Sequence, residues 1–264
     1  MGEKKIKEAL ESSILELIGS GHVIRNKIVQ LVEIHKKKIH FAPLKYRVLG
    51  GFLQSLNIKF GNFLEVLMGN IIKASSGLNV ISVSEKKNLI IGENCERIID
   101  AHINHPPKTI TEETLKNLYE VIFTQKPPFL KEKFDIDLLV EGQKKFYYIE
   151  IKYNDDHDTG KYKDINRKAI KTYAGLRNEY KISSKEKFEL LIYYFNTKKR
   201  YYPSYYLRDG IEVLRGNELF QKLNLSTNYH VIEEELKRIN VNLEERFDRY
   251  TKMIFDMVNK KSQY

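Results

Sequence analysis

Two neighbouring segments, KFDIDLLV and KFYYIEIKY, alternate between polar and apolar residues and are rich in Ile, Val, Phe and Tyr. Both features predict β-strands, on which successive side chains point to opposite faces. A short stretch around Glu141–Lys145 separates them, and Gly142 there permits a tight turn. The chain is therefore expected to build a sheet around an antiparallel hairpin at residues 134–152.

The length of the turn decides which side chains of this hairpin meet. With an even-numbered loop such as Gly142–Lys145, Asp137 faces Glu150 and Asp135 faces Lys152. Directly opposed residues have Cβ atoms about 4.5–5.5 Å apart, so two carboxylates would lie side by side with an amine close by. An odd-numbered loop without a bulge would place Asp137 and Glu150 on opposite faces. The side chains expected on the other face of the first strand are Phe134, Ile136 and Leu138.

Adjacent carboxylates repel each other, by roughly 3 kcal/mol at a separation of 5 Å and an effective dielectric constant of 20. A shared proton relieves this repulsion. So does a divalent cation such as Mg²⁺, which prefers oxygen ligands and keeps places for water and phosphate oxygens. With the amine of Lys152, such an ion would suit hydrolysis of a phosphodiester without a covalent intermediate. The alternative is an ordinary surface hairpin with a cross-strand charge pair.

The order of predicted elements indicates an α/β fold with a central mixed sheet flanked by helices. Helical patterns fill a region at 1–77, an α/β core follows at 78–223, and a charged helical tail occupies 224–264, all within one domain. The core is expected to hold an extended segment at 79–92, the hairpin, a helix at 162–176, and then further strands. These last strands are FELLIYYFN, an edge-like YYPSYYLR containing Pro203, and IEVL, which runs into the helix NELFQKL.

The charge balance favours a polyanionic partner such as nucleic acid. The chain has 45 Lys and Arg against 35 Asp and Glu, for a formal net charge of +10. A Lys-rich composition typical of an AT-rich genome explains the same surplus equally well. The one cysteine, Cys95, has no internal disulfide partner, which fits a reducing cytoplasm. No apolar run approaches the roughly 18–20 residues that span a bilayer, so no membrane association is expected.

Basic residues follow the hairpin on the helix at 162–176 and just before it. Spacings of four residues align several of them into a stripe beside the acidic residues. Such a stripe is expected to contact DNA backbone phosphates, although a merely solvated helix face fits the pattern as well. The residues predicted to bind DNA are Lys161, Lys163, Arg167, Lys168 and Lys171.

Together these residues resemble the PD-(D/E)XK nuclease superfamily, and more specifically type II restriction endonucleases. Asp137 matches the first acid of that pattern, and Glu150 and Lys152 match its Glu-x-Lys. Ile136 stands where a proline often precedes the first acid, and Asp135 is a rival for that position. The resemblance extends to about residue 223, where VLRGNELFQKL looks like a strand-to-helix element of several restriction enzymes.

The resemblance implies a catalytic centre of Asp137, Glu150 and Lys152 with Mg²⁺ as cofactor. It also implies metal ligation by Asp137, Glu150 and the backbone carbonyl of Ile151. Glu65 or Asp135 is a further candidate ligand. Glu65 lies in KFGNFLEVLMGNII, which is similar to the leading helices of these enzymes, and an ordinary surface glutamate is the competing interpretation.

On this basis the chain is expected to be a cytoplasmic prokaryotic type II restriction endonuclease. It would act as a homodimer and hydrolyse double-stranded DNA at a short, palindromic site. The alternatives are another nuclease of the superfamily, such as a repair enzyme or junction resolvase, and a catalytically silent DNA-binding protein on the same scaffold.

Overall fold

The computed structural model divides the chain into two compact units. One is Met1–Phe63 with Thr227–Tyr264, and the other is Leu64–Ser226. The single domain divided near residues 77 and 223 stays a prediction. The predicted strand YYPSYYLR lies outside the described residues. The residues that the structure describes are 4, 7–8, 10–11, 13–14, 21–105, 111–123, 129–153, 159–182, 187–197 and 211–261.

Helices occupy both ends of the described chain, and strands and helices are mixed between them. The helices are α1 (Gly21–Lys36), α2 (Leu44–Ser75), α3 (Glu93–Asn104), α4 (Glu112–Phe123), α5 (Thr159–Glu179), α6 (Asn217–Lys222) and α7 (Tyr229–Lys261). The strands are β1 (Asn79–Gly92), β2 (Phe129–Glu141), β3 (Phe146–Lys152), β4 (Phe188–Tyr194) and β5 (Glu212–Arg215). None of the described helices combines the length and the apolar composition that crossing a membrane requires.

The first unit is built from helices, as its apolar periodicity predicts. The buried positions of α1 recur three or four residues apart and form one apolar stripe. They are Ile24, Ile28, Leu31 and Val32. Aromatic pairs join α2 to α7 edge to face, with ring centroids 6.0 Å apart for Tyr46 and Phe255 and 5.9 Å apart for Phe52 and Tyr250.

The second unit contains a five-stranded sheet in the order β1-β2-β3-β4-β5. The β1–β2 and β2–β3 pairs are antiparallel, and the β3–β4 and β4–β5 pairs are parallel. The parallel β3–β4 pair is joined through α5, because parallel strands need a crossover connection. The prediction of a mixed sheet flanked by helices is confirmed.

The β2–β3 hairpin has the register that an even-numbered loop demands. Leu138 opposes Ile149 and Glu141 opposes Phe146, which leaves Gly142–Lys145 as the loop. The Gly142 N–H closes this loop by donating to the Lys145 carbonyl oxygen, 2.7 Å away. Of the two loop lengths that the sequence left open, the structure has the even-numbered one, which places Asp137 and Glu150 on the same face.

The alternation of β2 breaks beside Asp137, and here the sequence-based assignment of faces is wrong. Phe134 and Ile136 belong to the same core cluster as Leu139 and Tyr148, although strict alternation places them on the opposite face from Leu139. The neighbouring strand is also irregular at this level, where Ser84 of β1 has a φ of 48°. Ile136 and Leu138, on either side of Asp137 in the chain, are both buried.

Helix α5 packs closely over the sheet. A Cβ atom at Gly175 would lie 2.8 Å from the Leu89 Cβ, so glycine is what allows α5 to approach β1 this closely. One face of α5 is apolar and buried, and it consists of Ile165, Ala169, Ile170 and Tyr173. Lys168, next to Ala169, is thereby held over the carboxyl-bearing end of the hairpin.

Candidate active site

Asp137 and Glu150 are buried where the regular pairing of β2 with β3 ends. Their relative exposures are 3% and 0%. The last regular pair of the hairpin on this side is Leu138 with Ile149. Beyond it, the Ile151 N–H donates to the Asp137 Oδ2 at 2.9 Å, so a side chain accepts this backbone donor and fixes the Asp137 carboxylate.

The Lys152 ammonium lies among three oxygen atoms of the hairpin. Its Nζ donates to Glu150 Oε1 at 2.7 Å, to the Ile151 carbonyl oxygen at 3.1 Å and to Asp137 Oδ2 at 3.2 Å. These are the three oxygens that the resemblance named as metal ligands. Their convergence on one cationic nitrogen means that the backbone already directs them toward a single point.

A second lysine reaches the same carboxylates from α5. Lys168 Nζ lies 2.8 Å from Glu150 Oε1 and 3.2 Å from Asp137 Oδ1. Two ammonium groups therefore face two carboxylates, and the cluster Asp137, Glu150, Lys152 and Lys168 is formally neutral. The sequence predicted Lys168 as a phosphate contact and missed this role. Lys168 lies three residues after Ile165, which is buried, and this spacing could have indicated that Lys168 borders the face of α5 that packs on the sheet.

The lysines keep Glu150 ionised despite its burial. Burial acts to raise the pKa of Glu150, but the charges and hydrogen bonds of Lys152 and Lys168 outweigh it and lower the pKa to about 2. Tyr148 donates its hydroxyl to Glu150 Oε2 at 2.6 Å, and burial followed by the charge of Glu150 raises the Tyr148 pKa well above its usual value. Tyr148 is thus a neutral donor that fixes the carboxylate.

Repulsion between the carboxylates persists at Asp137. Burial, and then the charge of Glu150, raise the pKa of Asp137, against the opposing effects of Lys152 and Lys168. The two lysines therefore do not fully compensate the second buried carboxylate. A cation of higher charge at this place would favour its ionised form.

Glu65, on α2, forms a third acid beside the cluster. Burial, and then the charge of Asp137, raise the pKa of Glu65 to about 7, while a hydrogen bond from the Ser84 side chain and the two lysines act in the opposite direction. The electrostatic effect of Asp137 indicates that the two carboxyl groups are close. Asp135 is placed differently, because its side chain is 64% exposed and its Oδ1 lies 3.7 Å from Lys86 Nζ.

The raised pKa of Glu65 gives a testable pH dependence of stability. A carboxyl group whose folded-state pKa exceeds its unfolded value binds a proton more tightly when folded. Its contribution to the free energy of unfolding is full below about pH 4.5 and is lost as the pH rises through about 7. In EDTA, the Tm of the wild type should therefore fall relative to that of Glu65→Gln between these pH values. Thermal unfolding of both proteins over this range measures the difference, and parallel Tm profiles would contradict the assignment.

Most residues of the predicted basic stripe form ion pairs within the protein. Lys171 Nζ lies 2.8 Å from Glu96 and 3.0 Å from Glu132. Arg167 pairs with Asp100 and Asp164. Lys161 is exposed and Lys163 is partly buried. Of the five residues expected to contact phosphates, the structure brings Lys168 into the acidic cluster and uses Arg167 and Lys171 to hold α5 to its neighbours.

The donor set of the hairpin fits a hard divalent cation. Two carboxylates and one carbonyl supply oxygen atoms, which Mg²⁺ and Ca²⁺ prefer over nitrogen or sulfur. Among the residues that the structure describes, no three His, Cys, Asp or Glu side chains form a ready-made metal site. The protein contribution would thus be an incomplete shell, which leaves coordination places for water and a substrate oxygen.

Comparison with known proteins points in the same direction. Residues 2–240 match a family model described as "Type II restriction endonuclease, HinfI". The type II restriction enzyme HinfI from Haemophilus influenzae is 34% identical over 224 residues, which cover 81% of this chain and 84% of that enzyme. No solved structure matches the chain.

Proposed function

Since this chain belongs to the HinfI family of type II restriction endonucleases, we propose that Asp137, Glu150 and Lys152 form its catalytic centre for site-specific DNA cleavage, with Mg²⁺ as cofactor. Type II restriction endonucleases generally use divalent metal ions. The observation that carries the proposal is the convergence of the Asp137, Glu150 and Ile151 oxygens within 3.2 Å of one ammonium nitrogen.

These oxygens are proposed to hold the ion. When bound, Mg²⁺ polarises the scissile phosphate, lowers the pKa of a coordinated water and stabilises the leaving oxygen. Tyr148 keeps Glu150 in place, and the Ile151 N–H does the same for Asp137. Glu65, whose pKa responds to Asp137, is a better candidate than the exposed Asp135 for a further acid beside the ion.

Lys152 is proposed to exchange partners when the ion binds. Its Nζ lies within 3.2 Å of all three oxygens, so an ion held by these oxygens would take the place of the ammonium group. From a position beside these oxygens, the Lys152 Nζ would orient the attacking water and offset negative charge on the phosphorus. A divalent ion held there would leave the cluster with an excess of positive charge, which would favour entry of the DNA phosphates.

We also propose that the protein acts as a homodimer. A homodimer would present two centres related by two-fold symmetry, as cutting both strands of a palindromic site requires. Lys161 and Lys163 are proposed to contact backbone phosphates next to the centre, in the cytoplasm of a prokaryote. The comparisons give no support for a repair nuclease, a junction resolvase or a catalytically silent DNA-binding protein.

Digestion of plasmid DNA tests the proposed activity. With Mg²⁺, the protein should convert linear and supercoiled plasmids into discrete fragments, and with EDTA it should leave them uncut. Sequencing of the fragment ends should give one short palindromic sequence. Cutting of branched DNA alone, or binding without cutting at any divalent ion concentration, would contradict the proposal.

Replacing Lys152 with alanine should separate catalysis from binding. Removing one preorganised group that stabilises transition-state charge typically lowers the rate by about 10²–10³-fold. We expect that loss in single-turnover cleavage by Lys152→Ala, while affinity for duplex DNA in Ca²⁺ changes little. Lys145→Ala is the matched control, since Lys145 also pairs with a glutamate of the sheet but lies at the turn of the hairpin. Equal cleavage rates for the two variants would show that Lys152 is not part of the catalytic centre.

A further inference from the structure

The segment that joins α1 to α2 combines positive charge with solvent-exposed apolar side chains. Residues Lys36–Phe41, here called the basic loop, have the sequence KKKIHF and are all exposed. Ile39 is 105% exposed and Phe41 is 97% exposed. Their side chains therefore contribute almost nothing to the packing of the folded unit.

Hydrogen bonds hold the basic loop in a defined conformation. The Arg47 guanidinium donates from Nη1 to the carbonyl oxygens of His35 and Lys38, both at 2.8 Å. The Ala42 N–H donates to His40 Nδ1 at 2.9 Å. The rings of His40 and Phe41 are stacked, with centroids 4.6 Å apart and an interplanar angle of 24°. The loop is thus preorganised, which lowers the entropy cost of binding a partner.

Exposing two large apolar side chains to water is unfavourable unless a binding partner covers them. Burying a side chain of this size stabilises a complex or a fold by about 1.5–3 kcal/mol, and here that gain is unused within the unit. A single exposed apolar residue is common on protein surfaces, whereas two beside a run of lysines on an ordered loop mark a contact surface.

The charge of the loop identifies duplex DNA as that partner rather than a second copy of the chain. In a two-fold symmetric contact centred on this loop, the two Lys36–Lys38 runs would face and repel each other. DNA phosphates would neutralise them instead. The local field is already positive, since burial and then the charges of Lys38, Arg47 and His40 lower the pKa of His35.

We propose that the basic loop binds duplex DNA, with its lysines on backbone phosphates and with Ile39 and Phe41 inserted against the bases. Apolar wedges of this kind unstack a base step and bend the duplex. Aromatic rings also stack on exposed bases regardless of sequence. The loop would then distort the DNA that the enzyme cuts, so the inference rests on the proposed function while adding a binding surface distinct from the acidic cluster.

Base unstacking tests the role of the apolar residues. Duplexes that carry 2-aminopurine at successive positions in and around the cleavage site are bound to the full-length protein in Ca²⁺. The wild type should raise the fluorescence at a defined step, and Ile39→Ala/Phe41→Ala should abolish that rise and weaken binding roughly 5- to 150-fold. Ile58→Ala is the matched control, because Ile58 is 65% exposed on α2 of the same unit and should change neither signal.

The salt dependence of binding tests the lysines. Each phosphate contact contributes about −0.9 to the slope of log K against log salt concentration, so Lys37→Gln/Lys38→Gln should reduce the magnitude of the slope by about 1.8. Lys252→Gln/Lys260→Gln removes the same charge from exposed positions on α7 and should leave the slope unchanged. Equal slopes for these two variants would show that Lys37 and Lys38 do not contact the phosphates.

The remaining outcomes also decide the inference. Wild-type affinity and fluorescence in Ile39→Ala/Phe41→Ala would overturn it. So would light scattering that shows a wild-type dimer converted to a monomer by this change, because the loop would then bind a second copy. Failure of the wild type to cut plasmid DNA, with binding and unstacking intact, would instead contradict the proposed catalytic function and leave the loop assignment standing.

Discussion

Replacing Glu150 with glutamine is expected to lower the rate of DNA cleavage by about 10³-fold or more, because a metal ion supplies several kcal/mol of transition-state stabilisation that depends on its ligands. Glu150 is fully buried, and lysines hold it in its ionised form. Glutamine keeps the shape of the side chain but removes the charge that attracts a divalent cation. Single-turnover cleavage with Mg²⁺ measures the loss.

A second glutamate of the sheet provides a matched control for Glu150. Glu189 lies on β4 beside β3, and it also pairs with two lysines, Lys145 and Lys222. Glu189→Gln therefore breaks the same kind of ion pairs outside the acidic cluster. It should leave the cleavage rate within about 2-fold of the wild type, since mutations distant from a site usually act independently of it. Circular dichroism and Tm of both variants separate loss of catalysis from loss of folding.

Similar activity in the two glutamine variants would contradict the role of Glu150. So would a Glu150→Gln variant that binds Mn²⁺ as tightly as the wild type, because the lost charge would then lie outside the ion's ligand shell. Reduced activity in both variants with equally lowered Tm would mean that the ion pairs act on stability rather than on catalysis.

Replacing Asp137 with asparagine should have an effect of similar size, again about 10³-fold or more on the cleavage rate. The Asp137 carboxylate accepts hydrogen bonds from the Ile151 N–H, Lys152 and Lys168 at once. An amide offers one acceptor oxygen and no charge, so it can neither satisfy these donors nor attract a cation equally well. Asp137→Asn should therefore lose metal binding together with cleavage.

Asp135 provides the comparison that decides which aspartate is the first acid. It lies two residues away on the same strand, but its side chain is 64% exposed and faces Lys86. Asp135→Asn should cut DNA within about 2-fold of the wild-type rate, since surface substitutions away from special features have small effects. If Asp135→Asn abolishes cleavage and Asp137→Asn does not, the assignment of the first acid is wrong.

Local sequence patterns were sufficient to predict the hairpin and to reduce its register to two cases. Strand alternation has a period of two, so an even-numbered loop places Asp137 and Glu150 on one face and an odd-numbered loop does not, and the structure contains the even-numbered loop. The order of helical and extended segments likewise predicted the mixed sheet that the structure contains. The hairpin depends on contacts between neighbours in sequence, and the mixed sheet follows from the order of the elements along the chain.

Contacts between distant segments could not be predicted in the same way. Lys168 reaches Asp137 across 31 residues, through a crossover helix whose rotation over the sheet depends on how its apolar face packs. Glu65 comes from α2, and its proximity to Asp137 depends on the position of that helix against the sheet. The exposure of Ile39 and Phe41 could not be predicted from the sequence either, because apolar residues are expected to be buried.

The central claim is that Asp137, Glu150 and the Ile151 carbonyl bind one divalent ion at the point where their oxygens converge. Anomalous scattering from crystals of the protein grown with Mn²⁺ tests this directly. The account predicts one peak within about 2.0–2.6 Å of oxygen atoms from all three residues, with Lys152 Nζ displaced from them. A Mn²⁺ peak elsewhere, with Lys152 Nζ still bound to the three oxygens, would contradict it.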